Sequence, residues 1–105
     1  MALEPTRKLM NILYASANGR LPWGQDWIRD LPLCDGLIDD DGKEYDGYVL
    51  CCGHTLKYGT ESANVVGAGL MMRGNPDRFG RSTLTITKVG RAYLAQHMNM
   101  VAFDG

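Results

Sequence analysis

The densest group of metal-binding and nucleophilic side chains is the run Cys51–His54, which reads Cys-Cys-Gly-His. Zinc in proteins takes four ligands, usually as two pairs whose members are two to four residues apart. Here only one residue separates Cys52 from His54, and the other candidates, Cys34 and His97, are isolated. A cysteine nucleophile also needs a placed base and an oxyanion hole, for which the sequence has no pattern. We therefore predict a protein without metal, cofactor or catalytic residues.

Acidic side chains are concentrated in the middle of the chain. Residues 31–62 carry seven acidic and two basic groups. The ligand spacing of an EF-hand is absent, because Leu37 and Tyr48 stand where acidic ligands are needed. The run is either a solvated turn or an acidic patch that meets a basic partner. The candidate partner-binding residues are Asp39, Asp40, Asp41, Glu44 and Asp46.

The last third of the chain is basic, with five basic and two acidic groups in residues 63–105. Arginines bracket the turn sequence Gly74–Asp77, and an aromatic residue lies between them. Arginine reaches phosphates, and an exposed aromatic ring stacks on an unpaired base. The alternative is a loop whose arginines confer only solubility, with Phe79 folded onto the core. The candidate nucleic-acid-binding residues are Arg73, Arg78, Phe79, Arg81, Lys88 and Arg91.

Two helices are predicted in the first third of the chain. The first begins near Pro5, shows apolar residues at helical spacing, and ends at Asn18-Gly19. The second is a short helix over 25–31 that Pro32 ends.

Strands and further helices are predicted in the rest of the chain. Two strands, over 37–38 and 48–52, flank the acidic run. The segment 60–69 is ambiguous: Thr60 can cap a helix there, but its glycines favour an early end. Alternating polar and apolar residues predict a strand over 82–86, and a final helix follows from Lys88 to about Met98.

The run from Ser82 to Leu94 resembles the end of a bacterial or phage winged helix-turn-helix domain, in which a wing strand L-T-x-T leads into a helix x-x-G-R-A-x-L. The matching residues are Leu84, Thr85, Thr87, Gly90, Arg91, Ala92 and Leu94. The run Gly36–Ile38 is similar to the G-L-I that often follows a recognition helix in that family. The resemblance implies an α+β fold, a winged-helix-like small domain with an inserted acidic hairpin. It also implies that the wing arginines touch phosphates while a helix enters the groove.

Length and composition predict a single domain over residues 1–105. No run is apolar enough to span a membrane, and residues 1–10 lack the apolar centre of a signal peptide. An odd number of cysteines fits a reducing compartment. We therefore expect a cytoplasmic protein without membrane contact.

Two functions from different classes remain, with a small enzyme ranked last. The first is a non-enzymatic nucleic-acid-binding protein, a regulator or phage-encoded factor, whose partner is single- or double-stranded nucleic acid. A net charge of −1 predicts weak, salt-sensitive binding, and a homodimer is left open. The alternative is a protein-binding inhibitor or adaptor whose acidic face meets a protein of a nucleic-acid-processing complex. This alternative rests on an analogy of size and architecture with phage inhibitors of host nucleases and defence complexes, which include anti-CRISPR proteins.

Overall fold

A computed structural model describes residues 3–103 of the chain. Its first helix lies where the sequence predicts one. This helix, α1, spans Arg7–Asn18. Its cap is Thr6, whose Oγ1 accepts a hydrogen bond from the Leu9 amide at 3.1 Å. Pro5 therefore precedes the helix, and Gly19 ends it in the left-handed conformation, with φ 65°.

The helix predicted over 25–31 is wrong. This part of the chain is extended or irregular, and Leu31–Pro32 forms the first strand, β1. Leu31 is buried and Trp27 is half-buried, whereas Ile28 is exposed. The short stretch between Gly24 and Pro32 has too few residues to stabilise a helix by its own hydrogen bonds.

The largest sheet has three antiparallel strands. In space β7 (Thr83–Ile86) lies between β1 and β6 (Met71–Arg73). Leu84 pairs with Leu31 on one side and with Arg73 on the other. The predicted strand over 82–86 is confirmed, and β6 and β7 form a hairpin around the basic segment.

The acidic residues lie on a hairpin, as expected, but its second strand differs from the predicted one. Leu37–Ile38 forms β2 and pairs with β3, which spans Glu44–Tyr45. The segment predicted to flank the acidic run becomes β4 (Tyr48–Cys51), which pairs instead with β5 (His54–Lys57). The reason is that the acidic run closes a tight turn within itself and leaves β4 free to pair with the residues after it.

The segment 60–69 forms consecutive turns and no helix. The Asn64 amide donates to the Glu61 carbonyl at 2.9 Å, and the Ala68 amide donates to the Asn64 carbonyl at 2.8 Å. Gly67 packs against the preceding turn so closely that a Cβ there would lie 2.0 Å from the Glu61 carbonyl oxygen. Residues 3–103 therefore hold no α-helix between α1 and the β6–β7 hairpin.

The final helix, α2, spans Lys88–Gln96 and is two residues shorter than predicted. Thr87 caps it by accepting a hydrogen bond from the Gly90 amide at 3.0 Å. A short 3-10 helix, Met98–Met100, follows. α1 packs against α2 and β7, and the chain thus forms a compact α+β domain.

Candidate nucleic-acid interface

The connection between β6 and β7 contains a closed five-residue turn, Asp77–Arg81, here called the basic turn. Asp77 Oδ1 accepts hydrogen bonds from the amides of Phe79, at 2.9 Å, and Arg81, at 2.7 Å. The Asp77 amide donates to the Arg81 carbonyl at 3.0 Å. Gly80 adopts φ 75°, a conformation that suits glycine. These bonds fix the backbone and leave Arg78 and Phe79 at the tip.

The side chains of the basic turn bring two cations to one aromatic ring. Phe79 is 69% exposed, so the alternative in which its ring folds onto the core is wrong. The guanidinium carbons of Arg78 and Arg81 lie 4.9 and 5.7 Å from the ring centroid. Arg81 also pairs with Asp77 at 3.3 Å. This arrangement can stack a planar group and place positive charge beside it.

A cleft of about 660 Å³ lies beside the basic turn. Pro76 and the basic turn line one part of it, and Ile28, Asp30 and their neighbours Arg29 and Pro32 line the rest. Ile28 is 53% exposed there. Sequence reasoning missed this second part of the cleft because it assigned residues 25–31 to a helix. The cleft has the size of a small-molecule or single-base site.

The other three predicted nucleic-acid-binding residues do not line this cleft. The guanidinium carbon of Arg73 lies 5.7 Å from the centroid of the Tyr58 ring. Arg91 Nη1 donates to the Ala17 carbonyl oxygen at 3.3 Å and so helps to satisfy the C-terminal end of α1. Lys88 is exposed at the start of α2.

The acidic hairpin carries a second turn with the same hydrogen bonds, Asp39–Lys43, here called the acidic turn. Asp39 Oδ1 accepts from the amides of Asp41 and Lys43, both at 2.9 Å. The Asp39 amide donates to the Lys43 carbonyl at 3.0 Å, and Gly42 adopts φ 81°. Both turns follow the pattern D-x-x-G-[KR], a repeat that is visible in the sequence and that our sequence analysis missed.

Two of the five acidic candidates, Asp39 and Asp46, accept hydrogen bonds from backbone amides and hold the hairpin in shape; they are here called scaffold residues. Asp39 also accepts from the Tyr45 hydroxyl at 3.1 Å, and its pKa is lowered, chiefly by the Lys43 amide. Asp46 accepts from the Gly36 amide at 2.9 Å. The other three of these five candidates, Asp40, Asp41 and Glu44, are exposed, and their carboxylates accept no hydrogen bond from residues 3–103.

Asp35, which was not among the predicted site residues, holds the two ends of the acidic hairpin together. Asp35 accepts from the Gly47 amide at 2.7 Å and from the Tyr58 hydroxyl at 2.6 Å. The Tyr58 hydroxyl and then the Gly47 amide lower the pKa of Asp35, because both donate to its ionised form.

The cysteine and histidine candidates are not assembled into a site. All three cysteines are free thiols. Burial raises the pKa of Cys51 to about 12, so its thiol is neutral and a poor nucleophile. Cys52 lies in the two-residue turn after β4, with φ 46°, while His54 is exposed in β5. Within the described residues, no three His, Cys, Asp or Glu side chains come close enough to hold a metal ion.

Comparison of the chain with protein-family models, with curated proteins and with solved structures finds no match. Neither helix of the described part is both long and apolar enough to cross a membrane. The basic turn and the cleft beside it form the candidate site, because they combine an exposed aromatic ring, two guanidinium groups and a concave surface.

Proposed function

We propose that this chain is a non-enzymatic nucleic-acid-binding protein that acts through the basic turn. The observation that carries the proposal is the exposed Phe79 ring, held on a hydrogen-bonded turn with two guanidiniums beside it. Stacking of one base on such a ring contributes about 1–3 kcal/mol. Arg78 is the better phosphate ligand, because Arg81 already pairs with Asp77.

The rest of the molecule has a secondary role in this proposal. The β6–β7 hairpin would act as the wing of a winged-helix-like domain, with Arg73, Lys88 and Arg91 as peripheral phosphate contacts. The net charge of −1 makes binding weak and salt-sensitive for a monomer, and a homodimer would double the basic surface. Three free thiols fit action in the cytoplasm, as a regulator or a phage-encoded factor.

The test is fluorescence anisotropy with labelled single- and double-stranded oligonucleotides at two salt concentrations. We expect Phe79→Ala to weaken single-strand binding by roughly 5- to 150-fold. Arg78→Ala should weaken binding and flatten the log–log salt dependence by about 0.7 for a single strand. Arg7→Ala removes the same charge from an exposed position in α1 and is the matched control. A parent protein that binds no oligonucleotide at low salt would overturn the proposal.

A second candidate function is supported by the acidic turn. Its exposed carboxylates lie on a backbone as constrained as that of the basic turn, which favours recognition of a basic partner protein. Such a partner would belong to a nucleic-acid-processing complex, and the chain would act as its inhibitor or adaptor.

The triple variant Asp40→Asn, Asp41→Asn, Glu44→Gln tests this second function, because it leaves the scaffold residues Asp39 and Asp46 in place. Calorimetry with an arginine-rich peptide should show binding by the parent and its loss in the variant. Equal binding by the two proteins would exclude the acidic turn as the binding surface.

A further inference from the structure

Two carboxylates line the cleft beside the basic turn, and only one of them is satisfied. Asp77 accepts hydrogen bonds from two amides and pairs with Arg81. Asp30 is half-buried, and within residues 3–103 it accepts no hydrogen bond and has no cation within 4.0 Å. Its oxygens are not buried, because the buried side-chain atom without a partner in the described residues is Trp27 Nε1. The carboxylate of Asp30 is therefore open at the cleft, and its acceptors are free for the donors of a ligand.

The neighbours of Asp30 show why no side chain of the protein fills that role. The adjacent Arg29 donates instead to the Ala17 and Asn18 carbonyl oxygens at the end of α1, at 3.0 and 3.4 Å. On its other side the carboxylate packs directly on the backbone of Gly74, where a Cβ would lie 2.5 Å from Asp30 Oδ1. Asp30 is therefore held at a defined place in the cleft while its acceptors stay free.

The hydrogen-bonding edges of the bases determine which base such a carboxylate accepts. A carboxylate has acceptors only, so it needs two adjacent donors. Guanine offers them, as N1–H beside its 2-amino group. Adenine and cytosine each place an acceptor nitrogen beside their amino group, and thymine and uracil place carbonyl oxygens on both sides of one N–H. Unpaired acceptors facing a carboxylate are strongly disfavoured.

We propose that the cleft selects an unpaired guanine, stacked on Phe79 and hydrogen-bonded by Asp30 through its N1–H and 2-amino groups. This inference rests on the proposed nucleic-acid function and makes it specific. Ile28 would cover the other side of the base, and Arg78 would contact the adjoining phosphate. Only a single strand can present this edge, because pairing in a duplex occupies it.

The experiment compares thymine oligonucleotides that carry one central dG, dA, dC or inosine, with the all-thymine strand as reference. We expect the dG strand to bind the parent about tenfold tighter than the dA, dC and all-thymine strands. Inosine, which keeps N1–H and lacks the 2-amino group, should fall between dG and dA. Asp30→Asn should abolish the preference and still bind the all-thymine strand. Glu61→Gln removes the same charge at an exposed position outside both turns and should keep the preference.

The outcomes separate the two proposals. Equal binding of all strands by a protein that does bind them would overturn the guanine preference and leave the proposed function standing. Failure of every strand to bind at low salt would overturn both. The inosine comparison uses the parent protein alone, so a folding defect in Asp30→Asn, monitored by circular dichroism, does not remove the test.

Discussion

At the scale of single residues, Ser16 completes the main sheet at a point where one strand has ended. β1 pairs with β7 at Leu31 and Leu84, and the next hydrogen-bonded pair in that register, two residues further along, would be Arg29 with Ile86. The Ser16 hydroxyl lies between them, donating to the Arg29 carbonyl and accepting from the Ile86 amide, each at 2.8 Å. One buried hydroxyl thereby replaces a backbone hydrogen bond of the sheet and ties α1 to it.

Ser16→Ala is expected to destabilise the fold by about 1–3 kcal/mol, because it leaves the buried Ile86 amide without an acceptor and the part-buried Arg29 carbonyl without this donor. The measurement is the free energy of unfolding from urea denaturation. Ser82→Ala, at an exposed position, is the control and should change that free energy by no more than about 0.5 kcal/mol. Equal midpoints and slopes for both variants would show that the hydroxyl contributes nothing.

The carboxylate of Asp35 makes the free energy of unfolding depend on pH. Its pKa is lowered in the folded state, so in the unfolded chain it returns to about 3.9. The ionised carboxylate therefore stabilises the fold above about pH 4, and that contribution is lost as the pH falls through the lowered pKa. The difference in the free energy of unfolding between the parent and Asp35→Asn should stay constant above about pH 5 and shrink as the pH falls below about 4. A difference of constant size across this whole pH range would contradict this assignment.

At the scale of elements, the glycine in α2 has a packing role. Gly90 belongs to the motif that suggested a winged-helix domain, and a Cβ there would lie 2.1 Å from the Leu70 carbonyl oxygen. The helix crosses the chain before β6 at this point, and any larger residue would push the two apart.

Gly90→Ala consequently tests packing against intrinsic helix propensity. Propensity alone predicts a gain of about 1 kcal/mol. The close approach predicts a loss of about 1–3 kcal/mol, as for overpacked cores, and we expect the loss. Ala92→Gly, exposed in the same helix, should lose only the propensity term of about 1 kcal/mol. Thermal denaturation of the two variants distinguishes them, and a stabilised Gly90→Ala would refute the contact.

The elements also show what local sequence could and could not predict. α1, the strand over 82–86 and α2 were predicted because their caps, apolar spacing and turn residues all act within a few positions. Local sequence left the segment 60–69 ambiguous, because the approach of Gly67 to the preceding turn is a packing contact that no local pattern encodes. The candidate site divides in the same way. Its charged and aromatic residues are consecutive or nearly so and could be grouped from the sequence, whereas the cleft wall at Ile28 and Asp30 comes from a distant segment.

At the scale of the whole molecule, one core joins both helices to the sheet. The fully buried side chains include Leu9, Met10, Ile12, Leu13, Leu21, Leu31, Met71 and Leu84. The end of the described chain adds to this core, because Val101 is buried and Phe103 packs edge-to-face on Tyr14. The helix and sheet elements should consequently unfold together.

Leu13→Ala is expected to cost about 2–5 kcal/mol, since its side chain is fully buried and its removal leaves a cavity. Tryptophan fluorescence and far-ultraviolet circular dichroism should report the same lowered midpoint in denaturant. Two separated transitions would show that the helices and the sheet unfold independently.

The matching backbones of the acidic and basic turns make their tips exchangeable. Exchanging the tip pairs, through Asp40→Arg, Asp41→Phe, Arg78→Asp and Phe79→Asp, yields a positional isomer of the protein with the same composition and net charge. The aspartate and glycine that shape each turn are unchanged, so the parent and the exchanged variant should have similar melting temperatures. Because the two proteins have the same net charge, any difference in what they bind must come from the positions of the exchanged residues. If the two turns are the binding surfaces we propose, the exchange should redirect binding from one turn to the other while the fold keeps its stability.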